Sequence, residues 1–518
     1  MEMASVFLLA SSEPVSGMVT VLFAVLLVGL IVCLALEEKL HAKKSFIAGM
    51  FAIVCLLLGA VCGILDFDRV VVGSHELVDI DKVEGDYVLE SDPEHEQHHV
   101  VITEHNEEEV TEDPAVHVGG HRLEMPVYVP GINWSVIAII LGSSLFVDVT
   151  SKSGLFTWIA IKVTKASGGD PLKLLYFYGV MTVVFSAVLN NVTAMIIVGS
   201  LTAVSLEKLN RKDKLLGFLL IEGLLTNIGG LLTLISSVPN IIVGTTANIS
   251  FLTFLMKSAP YVAVATLVTI WMGAIVFRIA KLTTDKEREE AKQLVSSFDE
   301  NDGVESWGFF WFGSAMLCLF ILLIATTSVL PLGISDLGMG FIALSFAGIM
   351  LVRFKHEVQE FYKMIDWDLL GFFMALFVVI YVMEHAHVLD EIGKAMQWAL
   401  NDMKAVPAGK MDATMLLLGS AAFSSVTDNI PLAAMLASIL HDLGTPGDSG
   451  LWWSVIFGAN LGGNLTPIGS ASTLVAVTII HKHKLPLSFV AFVKAAVPFA
   501  VVQIVLATIY VLYVLPYI

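Results

Sequence analysis

Two long apolar regions of this chain are each interrupted by the same polar and helix-breaking residues. The first region contains NNVT at 190–193 and NIGG at 227–230, and the second contains DNIP at 428–431 and NLGG at 460–463. A lipid-facing helix cannot carry such residues at its centre, because irregular backbone is tolerated in a membrane only where it lines a cavity. The pattern therefore predicts a membrane fold built around a polar interior.

Composition agrees with a polytopic membrane protein. The 518 residues are 56% hydrophobic and have a mean hydropathy of +0.80, well above soluble norms. Many stretches reach about 20 apolar residues, the length that crosses a bilayer. The predicted spans are 18–36, 45–65, 132–150, 215–248, 259–280, 307–330, 336–352, 365–384, 451–480 and 494–516.

The formal net charge of −19 is concentrated in one segment between the second and third predicted spans. So acidic a chain is not expected to bind nucleic acid. The same segment holds His75, His95, His98, His99, His105, His117 and His121. These histidines could bind metal or sense pH. Their spacing matches no fixed metal-ligand pattern, so a flexible acidic external loop that concentrates cations is the simpler interpretation, and no metal site is predicted.

Two polar-interrupted segments, 172–204 and 412–441, are predicted to be re-entrant hairpins. Basic loops should face the cytoplasm. Lysines occur on both sides of the first segment, near 152–173 and 208–214, so a single span there would place two basic loops on opposite sides. With hairpins, the acidic segment and both termini fall outside. An integral, multi-pass location in the plasma or inner membrane follows.

The chain divides into five predicted regions, two of which are repeats. Two N-terminal transmembrane helices occupy 1–65, and the acidic, His-rich external loop occupies 66–131. Repeat 1 covers 132–280, a cytoplasmic linker with two connecting transmembrane helices covers 281–364, and repeat 2 covers 365–518. INW at 132–134 matches IDW at 365–367 at the same separation that relates the two Asn-x-Gly-Gly motifs. Because the repeats start on opposite sides, they are inverted, which is typical of alternating-access transporters.

The polar residues of the two repeats are predicted to form one cation site. Helix breaks expose backbone carbonyls and aim helix-end dipoles, and side-chain oxygens complete the shell that a hard cation prefers. The glycines Gly229, Gly230, Gly462 and Gly463 allow the unwound backbone. The neutral oxygen donors are Asn190, Asn191, Thr193, Asn227, Thr233, Asn240, Asn429, Asn460, Asn464, Thr466, Ser470 and Ser472.

Intramembrane carboxylates narrow the substrate class. Asp428, Glu222 and Asp148 lie in or near apolar spans, where charge is costly and usually functional. Glu384 lies near a span end, where a structural role is as plausible. No Lys or Arg lies clearly deep in a span, so a polyanion would lack cationic partners. A carboxylate that binds either Na⁺ (or Li⁺) or a proton would give exchange by competition, and Asp428 is the strongest candidate.

The motifs resemble those of the NhaD-type sodium/proton antiporters of the ion-transporter superfamily, whose relatives include arsenite permeases and divalent-anion/sodium symporters. The resemblance covers about 130–518 and rests on NNVT, DNIP, TNIGG, GANLGGNLTPIGSAS and SFxxF. It implies an all-α inverted-repeat fold with two re-entrant hairpins and two broken transmembrane helices, usually a homodimer. Asn190 stands where that family often has Asp, and ISSVPN replaces the usual IGDPPN.

The sequence thus predicts a secondary transporter that exchanges Na⁺ (and Li⁺) for H⁺ across the lipid bilayer, with no cofactor. The alternative is an arsenite or anion permease on the same fold. An enzyme is not expected, because the chain has no GxSxG or HExxH motif, and no catalytic residue is assigned.

Overall fold

The computed structural model describes residues 15–65, 68–72, 76–79, 87–91, 98–102, 116–118, 120–124, 129, 131–327, 334–400, 404–406, 408–427 and 429–518. The chain forms two compact units. The first consists of Met1–Leu30, Phe46–Asn133 and Met374–Val388. The second consists of Ile31–Ser45, Trp134–Phe373 and Leu389–Ile518, and it holds both helix breaks. Asp428 lies outside the described residues.

Helices make up most of the described chain. They are α1 (Gly17–Ala35), α2 (Glu37–Leu40), α3 (Lys44–Val61), α4 (Trp134–Ser151), α5 (Leu155–Ser167), α6 (Pro171–Val188), α7 (Asn191–Lys208), α8 (Leu215–Gly229), α9 (Val238–Thr246), α10 (Phe251–Val276), α11 (Asp285–Ser296), α12 (Trp307–Thr326), α13 (Ile334–Arg353), α14 (Val358–Met364), α15 (Trp367–His385), α16 (Val388–Ala399), α17 (Lys410–Ser424), α18 (Asn429–Asp442), α19 (Gly450–Gly462), α20 (Ala471–Lys482) and α21 (Phe489–Tyr513).

Eight helices of the described chain are long and apolar enough to cross a membrane, namely α1, α3, α4, α6, α10, α12, α15 and α21. The two predicted spans at 215–248 and 451–480 are instead pairs of shorter helices, α8 with α9 and α19 with α20. This confirms the predicted broken helices, since neither half alone has the length of a span.

The helix order confirms the duplication. Repeat 1 runs from α4 to α10 and repeat 2 from α15 to α21, and each contains a hairpin, a broken helix and a long closing helix. The closing helices have 26 and 25 residues, begin at capping Ser250 and Ser488, and carry Pro260 and Pro498 inside them. Helices α5 and α16, of 13 and 12 residues, precede the hairpins and were not predicted as separate elements.

The two hairpins are α6–α7 and α17–α18. In the first, the backbone of Leu189 and Asn190 is extended, which ends α6 and starts α7. The Asn190 side chain accepts a hydrogen bond from the Thr193 backbone N–H at 2.8 Å. Asn190 is therefore a helix cap, a role in which asparagine satisfies a backbone donor that would otherwise lack a partner.

A serine near the end of the first helix of each hairpin bonds to the broken helix beside it. Ser186 donates to the Thr226 carbonyl at 2.7 Å, and Ser424 donates to the Ala459 carbonyl at 2.6 Å. These two hydrogen bonds occupy equivalent places in the two repeats. Each hairpin is thus attached to the helix segment that precedes its own break.

A threonine after each glycine pair makes the second attachment. Thr233 donates to the Ala187 carbonyl at 2.6 Å, and Thr466 donates to the Ser425 carbonyl at 2.5 Å. The two threonines are equivalent in the repeats and so are their acceptors. Both predicted ligands are therefore engaged in holding a hairpin end against a helix break.

Glycine is required where each broken helix meets its hairpin. A Cβ on Gly229 would lie 2.7 Å from the Val183 carbonyl oxygen, and a Cβ on Gly462 would lie closer still to the Ala421 carbonyl oxygen. Backbone atoms cannot move aside as a flexible side chain can. The second member of the Gly-Gly pair has a different neighbour in repeat 1, since a Cβ on Gly230 would meet the Asn191 amide.

The 66–131 segment differs from the predicted flexible loop, whereas the repeats are all-α as predicted. The described residues of this segment form six short strands, β1 (Asp68–Val72), β2 (Glu76–Asp79), β3 (Tyr87–Ser91), β4 (His98–Ile102), β5 (Val116–Val118) and β6 (Gly120–Glu124). They form two antiparallel sheets, ordered β2-β1-β6 and β3-β4-β5. Valine is frequent in these strands and favours strand structure, but runs of three to five residues are too short for a periodicity search to detect.

Candidate functional site

The two repeats meet through a reciprocal pair of hydrogen bonds at the helix breaks. Ser237, just before α9, donates to Asn460 Oδ1 in α19 at 2.8 Å. Ser470, just before α20, donates to Asn227 Oδ1 in α8 at 2.9 Å. Each broken helix therefore offers a serine at its second half to the asparagine in the first half of the other. The predicted meeting of the two breaks is present in the structure.

Further amide and hydroxyl contacts extend this pair into a buried polar cluster, called the break cluster, of Asn227, Asn240, Asn460, Asn464, Ser237, Ser470 and Ser472. Ser472 donates to Asn227 Oδ1 at 3.1 Å. Asn227 Nδ2 donates to Asn464 Oδ1 at 2.8 Å, and Asn460 Nδ2 donates to Asn240 Oδ1 at 2.9 Å. All seven residues are buried, so nearly every amide group needs a partner inside the protein.

The closing helix of repeat 2 supports the break cluster from outside. Asn464 Nδ2 donates to Gln503 Oε1 at 2.8 Å, and Gln503 Nε2 in turn donates to Thr269 Oγ1 at 2.9 Å. Gln503 is 1% exposed and was missed in the sequence, where a single glutamine in an apolar helix resembles a packing residue. Ser237 was also missed, although its repeat counterpart Ser470 was identified.

Backbone carbonyls at the first break are already engaged. Asn240 Nδ2 donates to the Gly230 carbonyl at 2.6 Å and to the Thr233 carbonyl at 3.0 Å. Ser236 also donates to the Gly230 carbonyl, at 2.7 Å. The break thus presents carbonyls inward, as the sequence predicts, but protein donors occupy them in this conformation.

The tip of the first hairpin reaches the break cluster through one residue. Asn191 Nδ2 lies 3.4 Å from Asn227 Oδ1, and Asn191 Oδ1 accepts a hydrogen bond from Ser186 at 2.7 Å. Asn191 and Thr193 are half-buried, whereas Asn190 is exposed. Neighbouring residues of one motif therefore have different roles, with Asn191 facing the cluster and Asn190 capping α7.

The second hairpin tip contains Asp428, which lies outside the described residues. Asn429 is the first residue of α18 and is half-buried. Helix α18 packs against α9, just as α7 packs against α20. Each hairpin therefore contacts the second half of the other repeat's broken helix, which is the arrangement that an inverted duplication produces.

Two charged side chains are buried among the residues whose burial is described, and both are carboxylates. Glu222, in the middle of α8, is 0% exposed, and its Oε1 accepts a hydrogen bond from Thr202 at 2.6 Å. Asp412 is 2% exposed in the first turn of α17, where a carboxylate is favoured by the helix dipole. Within that described set, no Lys, Arg or His side chain is buried.

Asp148 takes a different position from the other predicted ligands. It lies in α4, half-buried, accepts a hydrogen bond from Ser144 on the same helix at 3.3 Å, and interacts electrostatically with Asp366. Its hydrogen bond does not join it to the break cluster. The structure thus brings together the asparagines and serines of both breaks, and the described hydrogen bonds of Glu222 and Asp148 go to Thr202 and Ser144 and not to that cluster.

This architecture defines a class of protein. Inverted repeats, two helical hairpins and two broken helices that meet in a buried polar cluster form the framework of a secondary membrane transporter. The family model described as CitMHS, citrate transporter, matches residues 115–458. The chain belongs to this family and is a multi-pass integral membrane protein.

Similar proteins support the same assignment. A 46 kDa membrane protein of Mycobacterium leprae is 31% identical over 386 residues, which cover 73% of this chain and 86% of that protein. An uncharacterised transporter of Mycobacterium tuberculosis H37Rv is 29% identical over 388 residues, with the same coverage of both chains. The human P protein is 26% identical over 475 residues, which cover 77% of this chain and 55% of that protein.

Among solved structures, the YdaH transporter of Alcanivorax borkumensis has a similar fold. The TM-score is 0.55 at 13% sequence identity, and the match covers 91% of this chain and 98% of that chain. Relatives whose names state a role are transporters, in agreement with the expectation that the chain is not an enzyme. The narrower resemblance to NhaD-type antiporters stays a prediction.

Proposed function

We propose that the protein is a secondary transporter that exchanges Na⁺ or Li⁺ for H⁺, with Asp428 as the carboxylate that cation and proton share. The observation that carries the proposal is the sign of the buried charge. Among the side chains of described burial, the buried charges are carboxylates and none is cationic. A site for a polyanion needs buried donors or cations, whereas a site for Na⁺ needs oxygens and a carboxylate.

The chemistry of the break cluster supports a small hard cation. Its side chains are amides and hydroxyls, which offer neutral oxygens at the point where both repeats meet. A carboxylate at the neighbouring hairpin tip would supply the charge, and protonation of that carboxylate would release the cation. Exchange follows because the two ions compete for one group, and the inverted repeats provide the alternating access.

Everted vesicles with a preformed pH gradient test the proposal directly. Addition of Na⁺ or Li⁺ should dissipate the gradient, as followed by a pH-sensitive dye. Asp428→Asn should abolish this response at normal protein abundance. Asp213→Asn, at an exposed turn before α8, serves as the matched control and should behave as the wild type. Near-normal exchange by Asp428→Asn would remove that residue from the site, and a wild type that ignores every cation would overturn the function.

Transport of an anion is the second candidate, and the family model's description as a citrate transporter favours it. Arsenite, which is neutral near pH 7, belongs to the same alternative. Uptake of labelled citrate and of arsenite into proteoliposomes, with and without a Na⁺ gradient, separates these cases. Accumulation of citrate without cation-dependent proton movement would favour the anion permease over the exchanger.

A further inference from the structure

Glu222 is a buried carboxylate with one unsatisfied oxygen. Thr202 donates to Oε1 at 2.6 Å, whereas Oε2 has no hydrogen-bond partner and the side chain is 0% exposed. A fully ionised carboxylate in this setting would carry an unpaired charge, which is far more costly than a neutral acid. The position therefore favours a group that is protonated during part of the transport cycle.

Three further buried hydroxyl groups lie close together in repeat 1. The Tyr178 hydroxyl is 2.8 Å from Ser205 Oγ and 2.5 Å from Thr164 Oγ1. All three residues are at most 2% exposed. They connect α6, α7 and α5, so the hydroxyls run from the interior of repeat 1 toward the turn between α5 and α6.

The spacing of residues along α7 connects Glu222 with these hydroxyls. Thr202, which donates to Glu222, and Ser205 are three residues apart on α7, a spacing that places them on one helix face one turn apart. At the end of α5, Ser167 Oγ donates to the Thr164 carbonyl and accepts a hydrogen bond from the Gly169 backbone N–H.

We propose that Glu222 carries a proton during exchange and that Thr202, Ser205, Tyr178 and Thr164 conduct it to the α5–α6 turn. The proposal rests on the proposed cation/proton exchange and adds a proton-carrying group and route distinct from the break cluster. Lys162, Lys165 and Lys173 flank the turn, so the route ends on the side predicted to face the cytoplasm.

The proton transfer is balanced at each step. The carboxyl O–H of Glu222 passes its proton to the Thr202 hydroxyl, each hydroxyl releases its own proton to the next oxygen, and Thr164 releases the last proton to water at the α5–α6 turn. A hydroxyl can both accept and donate, which a relay requires, although Thr164 must first turn its O–H away from the Ala160 carbonyl. The step between Thr202 and Ser205, one turn apart on α7, has no direct hydrogen bond, so the proposed route requires a bridging water molecule at that point.

Other titratable side chains on the neighbouring elements could in principle exchange a proton with Glu222. The titratable side chains on the elements that pack against α8 are Lys173, Tyr176 and Tyr178 on α6, Glu207 and Lys208 on α7, Lys212, Asp213 and Lys214 in the turn before α8, Lys257 and Tyr261 on α10, His481 and Lys482 on α20, and Lys494, Tyr510 and Tyr513 on α21. Within the described part of the chain, none of these side chains forms a hydrogen bond or ion pair with Glu222, whose partner is Thr202.

Paired variants test the route in proteoliposomes that contain purified full-length protein. Glu222→Gln should lower Na⁺-driven proton movement on the order of 100-fold, the scale on which a positioned proton-transfer group contributes. Tyr178→Phe and Thr202→Val should slow exchange and shift its pH profile, while the Na⁺ concentration that gives half-maximal rate stays unchanged. Tyr510→Phe and Thr150→Val remove buried hydroxyls elsewhere and should leave the profile unchanged.

Specific outcomes would overturn the inference. If Glu222→Gln folds and exchanges at the wild-type rate, Glu222 carries no proton. If Tyr178→Phe loses stability in detergent but keeps the wild-type pH profile, the hydroxyls serve packing and not proton transfer. If the wild type moves no protons with any cation, the proposed cation/proton exchange is wrong. Normal exchange in the wild type and in every variant would instead leave the exchange intact and contradict only the proton route.

Discussion

At the scale of single residues, the break cluster is a set of buried amides whose partners come from the opposite repeat. Asn227 Oδ1 accepts from both Ser470 and Ser472, whereas Ser237 is the donor to Asn460 Oδ1. A buried amide oxygen that loses its partner pays the full cost of desolvation. The equivalent serines of the two repeats, Ser237 and Ser470, should therefore contribute differently to the free energy of unfolding.

This difference gives a prediction about stability. Ser237→Ala should lower the free energy of unfolding by about 1–3 kcal/mol, because it removes the donor to Asn460 Oδ1. Ser470→Ala should cost less, because Ser472 continues to donate to Asn227. Unfolding of both purified variants in a denaturing detergent, compared with the wild type, measures the two values. Equal losses for the two serines would contradict the argument.

At the scale of secondary-structure elements, a segment of the linker that is predicted to be cytoplasmic contacts the first repeat. The segment 297–306 follows α11 and precedes α12. Its Glu300 pairs with Lys162 at 2.6 Å and with Lys165, both on α5. Phe298 lies beneath Lys208, whose Nζ is 4.3 Å from the ring centroid, at the end of α7. The segment thus joins α5 to the end of the first hairpin, two elements next to the proposed proton route.

The Glu300 contact has a predictable pH dependence. The Lys162 and Lys165 ammonium groups hydrogen-bonded to Glu300 lower the pKa of that carboxyl from 4.5 to about 2. A depressed pKa stabilises the folded contact above the ordinary pKa of the acid, and that stabilisation is lost as the pH falls through about 2. The segment should therefore stay attached between pH 7 and pH 5 and loosen progressively below that.

Hydrogen exchange of residues 297–306, corrected for the intrinsic rate at each pH, measures this attachment. Glu300→Gln should raise the rate of amide hydrogen exchange in this segment at pH 7 to the rate that the wild type reaches only in acid. Glu289→Gln, on the exposed face of α11, is the control and should exchange as the wild type does. Unchanged protection in Glu300→Gln would show that the segment is held by packing and not by charge.

At the scale of the whole molecule, the 66–131 segment is an addition to the repeated core. It lies before repeat 1, and the six strands of its described residues pair in two small sheets. The helical repeats account for both helix breaks and for every residue of the break cluster. The exchange reaction should therefore belong to the repeats, and the acidic segment should act on it from a distance through its charge.

Deletion of about residues 72–122 tests this separation. Maximal exchange should remain largely intact, and apparent cation affinity should fall at low salt but not at high salt, because mobile ions screen the field of the acidic residues. A shift of the pH profile near neutrality would be consistent with the histidines. Complete loss of exchange in a deletion that still inserts and folds would show that the segment belongs to the mechanism.

The sequence alone was sufficient to predict a polytopic membrane protein, its duplication, its two broken helices and most members of the break cluster. These features depend on local properties, since apolar length predicts a span and glycine or asparagine at its centre predicts a break. The strands of the acidic segment were missed because each is too short to show a period. Helices α5 and α16 were missed because they are short, and their residues were assigned to the connections that precede the hairpins.

Only the tertiary structure decided which polar residues face one another. The pairs Ser237–Asn460 and Ser470–Asn227 join residues more than two hundred positions apart, and no local pattern specifies such a contact. Asn190 and Asn191 are neighbours in one motif, yet one caps α7 while the other approaches Asn227. The residue types follow from what a membrane interior tolerates, but the direction in which each side chain points is set by the packing of two repeats against each other.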